Sequence, residues 1–169
     1  RLLASTESAC RAIGIPIVPV ASAPMSGNAA RVPRAVVRIP ASALREMGDH
    51  ARAGAPLEAC GLLVGELGGD EVREFHPCGN AAASPTLYTV EPRDHLRIER
   101  DAESRGLAVV GVMHSHTHTE PYPSATDVRD APDPAWHYVI VGLKRGIPDA
   151  RAYRIVGETI TETQILPAR

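Results

Sequence analysis

"LAVVGVMHSHTHTEPYPSATD", Leu107–Asp127, begins as an apolar run and turns abruptly polar at His114. The first half, 107–116, reads as a buried β-strand. Side chains on a strand alternate between faces, so Val110, Val112, His114 and His116 share one face. The valines then enter a core, and the histidines emerge where the strand ends. Two imidazoles spaced two residues apart can aim at one ion. Parity alone does not choose between the pair His114/His116 and the pair His116/His118, because all three lie on that face. Pro121 and Pro123 must break the strand.

The flanking segments fill in a fold around it. "RAVVRIP" (34–40) is a short β-rich run, and "ASALREMGDHARAGAP" predicts a helix with Leu44, Met47 and Ala51 on one face and Gly54 and Pro56 as its stop. "EACGLLVGEL" (58–67) is an apolar strand, "GGD" a turn, and "EVREFHP" (71–77) its alternating hairpin partner. "NAAASPT" (80–86) is a loop of small residues, followed by a predicted strand "LYTVEP" (87–92). Pro92 in the first turn and Gly106 at the end punctuate a helix over 92–106. After the opening stretch come a short helix (125–131), a buried strand "HYVIVGL" (137–143), and a hairpin of "ARAYRIV" and "TITETQI" across Gly157-Glu158. Helices and strands alternate and a strand run finishes the chain, which implies one α/β (α+β) domain with a mixed sheet flanked by helices.

Composition narrows the class. The chain has 169 residues, 44% apolar and 22% charged, with a net charge of −2. That is a globular composition, without the basic patch a nucleic-acid partner requires. No apolar run reaches the ~18 residues of a membrane span. Cys10, Cys60 and Cys78 are odd in number and form neither a CxxC pair nor a disulfide framework, so a reduced, cytoplasmic setting is expected. Residues 1–34 show no sustained period. Their signal-like "IGIPIVPVASA" is broken by prolines, and Met25-Ser26-Gly27 resembles a translation start or an expression scar. The expected organisation is a tail over 1–34 and a domain over 35–169.

Two further features can be read in two ways. Ser124-Ala125-Thr126-Asp127 is close to a capping box, with Ser124 capping a helix and Asp127 complementing its dipole. It equally offers Asp127 as a third ligand beside two histidines, with a fourth position open, the layout of a catalytic zinc site. Glu58 is either a solvated strand start or a base within reach of a metal site. Spacing does not decide either case.

Glu58, His114-Ser115-His116, Ser124 and Asp127 together resemble the signature of the JAMM (MPN+) metalloprotease family: an early Glu, His-Ser/Thr-His, seven residues, Ser, two residues, Asp. The resemblance covers about 35–165. "EACGLLVG", "SPTLYTVEP", "HYVIV" and "YRIVGETITE" are most similar to the actinobacterial Mec-type branch, hydrolases of a ubiquitin-like sulfur-carrier protein. Thr117 departs from deubiquitinating relatives, which usually carry Pro there.

The resemblance implies a cytidine-deaminase-like JAMM/MPN fold. It implies Zn²⁺ held by His114, His116 and Asp127, with Glu58 as general base and Ser124 as oxyanion donor. It also implies a sulfur-carrier partner ending in Gly-Gly, from which cysteine or other C-terminal residues are removed, with 80–91 as the edge that pairs with the tail.

Three alternatives compete with this expectation. A deubiquitinase-like isopeptidase would act on another ubiquitin-like protein. A non-haem iron enzyme shares the two-His-one-carboxylate set, but the helices argue against its usual double-stranded β-helix. A non-catalytic MPN scaffold lacks the ligand set. His118 and Glu120 are expected to line the loop, His50 and His95 to lie at the surface, and Cys60 to pack as a small core residue.

Overall fold

The structure, a computed structural model, describes residues 35–168; the expectation of a tail over 1–34 falls outside them, as does Cys10. Seven strands form one mixed sheet in the order β1-β7-β6-β5-β4-β2-β3. They are β1 (Val36–Ile39), β2 (Cys60–Gly65), β3 (Val72–Cys78), β4 (Ala108–His116), β5 (His137–Gly142), β6 (Asp149–Val156) and β7 (Thr159–Pro167). Three helices accompany them: α1 (Ala41–Gly54), α2 (Pro92–Ser104) and α3 (Ala125–Arg129). β4 lies between β2, antiparallel, and β5, parallel. β1 returns to pair in parallel with β7, and the other pairs are antiparallel.

Both sheet faces are covered, which is why β2 and β5 are apolar without alternation and wholly buried. On one face α1 packs Ala43, Met47 and Ala51 onto Val37, Leu63, Met113, Val139 and Val141. On the other, α2 packs Ile98 and Ala102 onto Leu62, Val64, Val112, Tyr138 and Ile140. Each such Val, Leu, Ile or Met side chain, fully buried, stabilises the fold by about 1.5–3 kcal/mol relative to exposure. Pro92 opens α2 at its first position, and Gly106 closes it with φ 71°, a left-handed conformation that residues with a Cβ resist.

The strands depart from the sequence reading at two places. The strand expected at 87–92 does not form: only Val90 bridges Asn80, and the rest of the segment has no ladder. The loop is instead closed at its neck, where the Ala81 N–H donates to the Thr89 carbonyl at 2.8 Å and the Glu91 N–H to the Gly79 carbonyl at 2.9 Å. The β-rich composition of "LYTV" is spent on packing Tyr88 and Val90 against the α2-side core rather than on pairing.

The second departure lies in β4. Leu63 pairs with Gly111 but Val64 pairs with Val109, so Val110 is an extra residue in a β-bulge. A bulge reverses parity on one side of it. Val110 therefore packs with the α1-side core, while Val112 packs with the α2-side core. His114 and His116 keep the parity of Val112.

Candidate metal centre and active site

β4 carries His114 and His116 to its C-terminal end, buried to 1% and 6% exposure. After the 117–123 turn, Ser124 caps α3 and Asp127 occupies its first turn. The Ser124 N–H donates to Asp127 Oδ2 at 2.7 Å, and the Asp127 N–H donates to Ser124 Oγ at 3.2 Å. This is a complete capping box. It does not compete with the ligand reading, because the same carboxylate also faces both imidazoles. Asp127 Oδ1 lies 3.4 Å from His114 Nε2, and Oδ2 lies 3.5 Å from His116 Nε2. The two Nε2 atoms are 3.1 Å apart.

Three ligand atoms that close fit a cation. Tetrahedral zinc with bonds of about 2.0–2.1 Å places its ligand atoms roughly 3.3 Å apart, which the three separations bracket. Tautomers agree with this. His116 Nδ1 lies 2.9 Å from the Glu120 carbonyl, which can only accept, so Nδ1 carries the proton and Nε2 presents a lone pair to the centre. His114 Nδ1 has no hydrogen-bond partner. Its ring is held instead by Tyr88, stacked at a centroid distance of 4.3 Å and 15° between planes.

The charges follow from the packing. Burial pushes His114 toward its neutral form, only partly offset by Asp127. Burial also opposes the charge on His116, but Asp127 and the Glu120 carbonyl outweigh it and raise its pKa. Burial works against the Asp127 carboxylate too, yet the two imidazoles hold it well below the usual range. It is therefore ionised at neutral pH.

Glu58 lies just before β2, at 6% exposure. Ser115, between the two histidines, brings it there. Ser115 Oγ accepts from the Ala59 N–H at 2.9 Å, and the Ser115 N–H donates to the Ala59 carbonyl at 2.9 Å. Burial raises the Glu58 pKa to about 7, opposed by His116 and reinforced by Asp127. That carboxyl thus shares its electrostatic environment with the donor cluster. A cleft of about 380 Å³ opens beside Asp127, lined by Tyr88, Thr89, His95, Thr126 and Trp136 among others.

The structure thus brings Glu58, His114, His116, Ser124 and Asp127 to one place, and among the described residues these two histidines and Asp127 form the one group with metal-ligand spacing. His118 stays outside, exposed and bonded to Thr117. The Glu120 carboxylate pairs with Lys144 and Arg145, while its carbonyl orients His116. His50 and His95 are half-buried rather than at the surface: His50 Nε2 bonds the Cys60 carbonyl, and His95 lines the cleft. Cys60 and Cys78 are buried free thiols, and burial pushes Cys60 up to about 12, which leaves it inert as a nucleophile. Sequence reasoning assigned no role to Tyr88 or Ser115; their partners lie far off in the chain, and no local pattern marks them.

Comparison with known proteins decides the lineage. The family described as prokaryotic homologs of the JAB domain matches residues 40–156. The chain belongs to that family. The chain is 40% identical over 131 residues to the CysO-cysteine peptidase of Mycobacterium tuberculosis, spanning 77% of this chain and 90% of that protein. It is 36% identical over 124 residues to the desampylase of Haloferax volcanii, spanning 69% and 86%. The solution structure of a protein from Desulfitobacterium hafniense matches with a TM-score of 0.71 at 33% identity, over 79% of this chain and 94% of that one. No helix among the described residues is long and apolar enough to cross a membrane.

Proposed function

We propose that this chain is a zinc-dependent, cytoplasmic peptidase that hydrolyses the amide bond after the C-terminal Gly-Gly of a ubiquitin-like sulfur-carrier protein. It releases cysteine, or trims C-terminal residues, in cysteine biosynthesis or sulfur transfer. The observation that carries the metal-peptidase part is the convergence of three donors on one point with a buried carboxyl beside them. The carrier part is supported by the 40% identity to a CysO-cysteine peptidase.

His114, His116 and Asp127 hold the metal, and a zinc ion bound there supplies a Lewis acid that acidifies water and polarises a carbonyl. Glu58 takes the proton of the attacking water and returns one to the leaving amine. A carboxyl titrating at about 7 suits both duties near neutral pH. The Ser124 hydroxyl oxygen already accepts from the Asp127 N–H, so its own proton is free to bond the developing oxyanion. A Gly-Gly tail has no side chains, so recognition rests on backbone pairing and a narrow channel. On the rim of the cleft, Asn80 and Ala81 bind the Leu87 carbonyl and both backbone groups of Thr89, so the backbone of Tyr88 and Val90 is the part that suits that task.

A second reading, an isopeptidase releasing a carrier from protein conjugates, is favoured by the similarity to a desampylase. Mass spectrometry of Gly-Gly carriers from the same genome, extended by cysteine or conjugated to protein, separates the two. The expected result is loss of the C-terminal residue with wild-type chain. With Glu58→Gln the loss should slow by about 10²-fold or more, with one zinc per chain retained. Intact carriers with the wild type, or undiminished cutting by the variant, overturn the proposal.

A further inference from the structure

Glu58 has no fastening of its own at the carboxylate: its surroundings act on it through burial and charge, without a side-chain hydrogen bond. Its aim is therefore set by its backbone. The Glu58 N–H donates to the Ser84 carbonyl at 2.9 Å, and the Glu58 carbonyl accepts from Asn80 Nδ2 at 2.9 Å. Both polar groups of this residue's backbone are thus bound to the loop that follows β3.

Asn80 is the hub of that loop. A carboxamide has two N–H donors and an oxygen with two acceptor positions, and here all four are used. Nδ2 also donates to the Leu87 carbonyl at 3.0 Å, while Oδ1 accepts from the Ala82 and Thr89 N–H groups at 3.0 Å each. A flipped amide would set donors against donors and oxygen against oxygen, so the side chain has a single orientation. The loop it spans carries Tyr88, which stacks on His114. One side chain therefore joins Glu58 to both limbs of the cleft-lining loop.

We infer that Asn80 is a positioning residue: it fixes the backbone of Glu58 to the 80–89 loop, so that the base and the rim of the cleft hold one mutual geometry. Its kinetic consequence rests on the peptidase reading; its structural content does not. Asp at this position keeps the two accepted bonds but turns a carboxylate oxygen toward two carbonyls. Ala removes all four bonds.

The test compares wild-type, Asn80→Asp and Asn80→Ala chains with zinc bound, on a cysteine-extended Gly-Gly carrier, with hydrogen exchange measured in parallel. Misplacing a catalytic group by about 1 Å costs on the order of 10²-fold. The expected result is a kcat roughly tenfold to a hundredfold lower, with one zinc per chain and a KM that rises because the cleft rim loosens with the base. In exchange, the amides of Glu58, Ala82 and Thr89 should open faster in Asn80→Ala, while those of β4 and β5 keep their protection. A kcat within about twofold of wild type in both variants, or a Glu58 amide that keeps its protection, overturns the inference. Asn80→Asp serves if Asn80→Ala does not fold. If the wild-type chain cuts no carrier, the peptidase reading fails and the exchange of the Glu58 amide decides alone.

Discussion

Two histidines, His114 and His137, are each 1% exposed, on adjacent parallel strands, where His137 pairs with Gly111 and His114 with Ile140. Their company differs. His114 faces a second imidazole and a carboxylate, both groups able to offer electron pairs to an ion. His137 accepts from the Arg154 guanidinium at 3.1 Å, and Arg154 in turn reaches Asp70. An arginine has no lone pair to share with a metal, and it uses the one His137 Nε2 presents. Burial, then Arg154, keeps His137 toward its neutral form. A buried histidine alone thus says little about a metal. What matters is whether its free nitrogen points at electron pairs or at a cation.

The contrast can be broken most sharply by truncation. His116→Ala should abolish tight zinc binding, read as metal content after dialysis. His137→Ala should leave zinc content unchanged and cost about 1–3 kcal/mol of stability, as expected when buried polar partners are orphaned, read by denaturant unfolding. Zinc loss in the His137 variant would erase the distinction. Ser124→Ala should lower kcat by about 10²-fold and also lose about 1 kcal/mol of helix capping. A stability loss with kcat unchanged would reduce Ser124 to a cap.

Smaller effects sharpen it by pH. His137 has its folded pKa depressed below the unfolded value of about 6.5. The unfolded chain then binds the extra proton first, so this contribution is full above pH ~6.5 and fades as pH falls through the folded value. Melting temperatures of wild type and His137→Gln should converge as the pH drops below 6.5. The weakest effect is expected at Glu74. Its bonds to Arg105 outweigh partial burial and hold it at about 2. Its contribution is present above its unfolded value of about 4.5 and is lost as pH falls toward 2. Glu74→Gln should therefore match wild type in acid and differ from it slightly at neutral pH.

Several elements were legible in the sequence because their signals are local. Pro92 and Gly106 bound α2, and Gly157 turns the β6–β7 hairpin with φ 58°. The burial of 107–116 and the helix opening at Ser124 follow from patterns within a few residues. The strand expected at 87–92 failed because β propensity supplies no pairing partner, and Asn80 takes the backbone groups a ladder would have used. The bulge at Val110 was hidden because only the facing strand β2 defines it.

The sequence by itself determined the candidate donors and their order: two histidines of one parity, then a Ser-x-x-Asp opening a helix. Backbone geometry fixes such relations over a few residues. The family resemblance already implied His114, His116 and Asp127 as a set; strand parity alone did not. The tertiary structure places His114, not His118, beside His116 and turns Asp127 to cap its helix and face both rings. It also shows how Glu58, which the resemblance assigned to the site, comes to stand beside them. That placement depends on Ser115 gripping Ala59 across 56 residues of chain and Asn80 gripping Glu58 across 22. Hydrogen bonds between segments so far apart exist only once the sheet has formed.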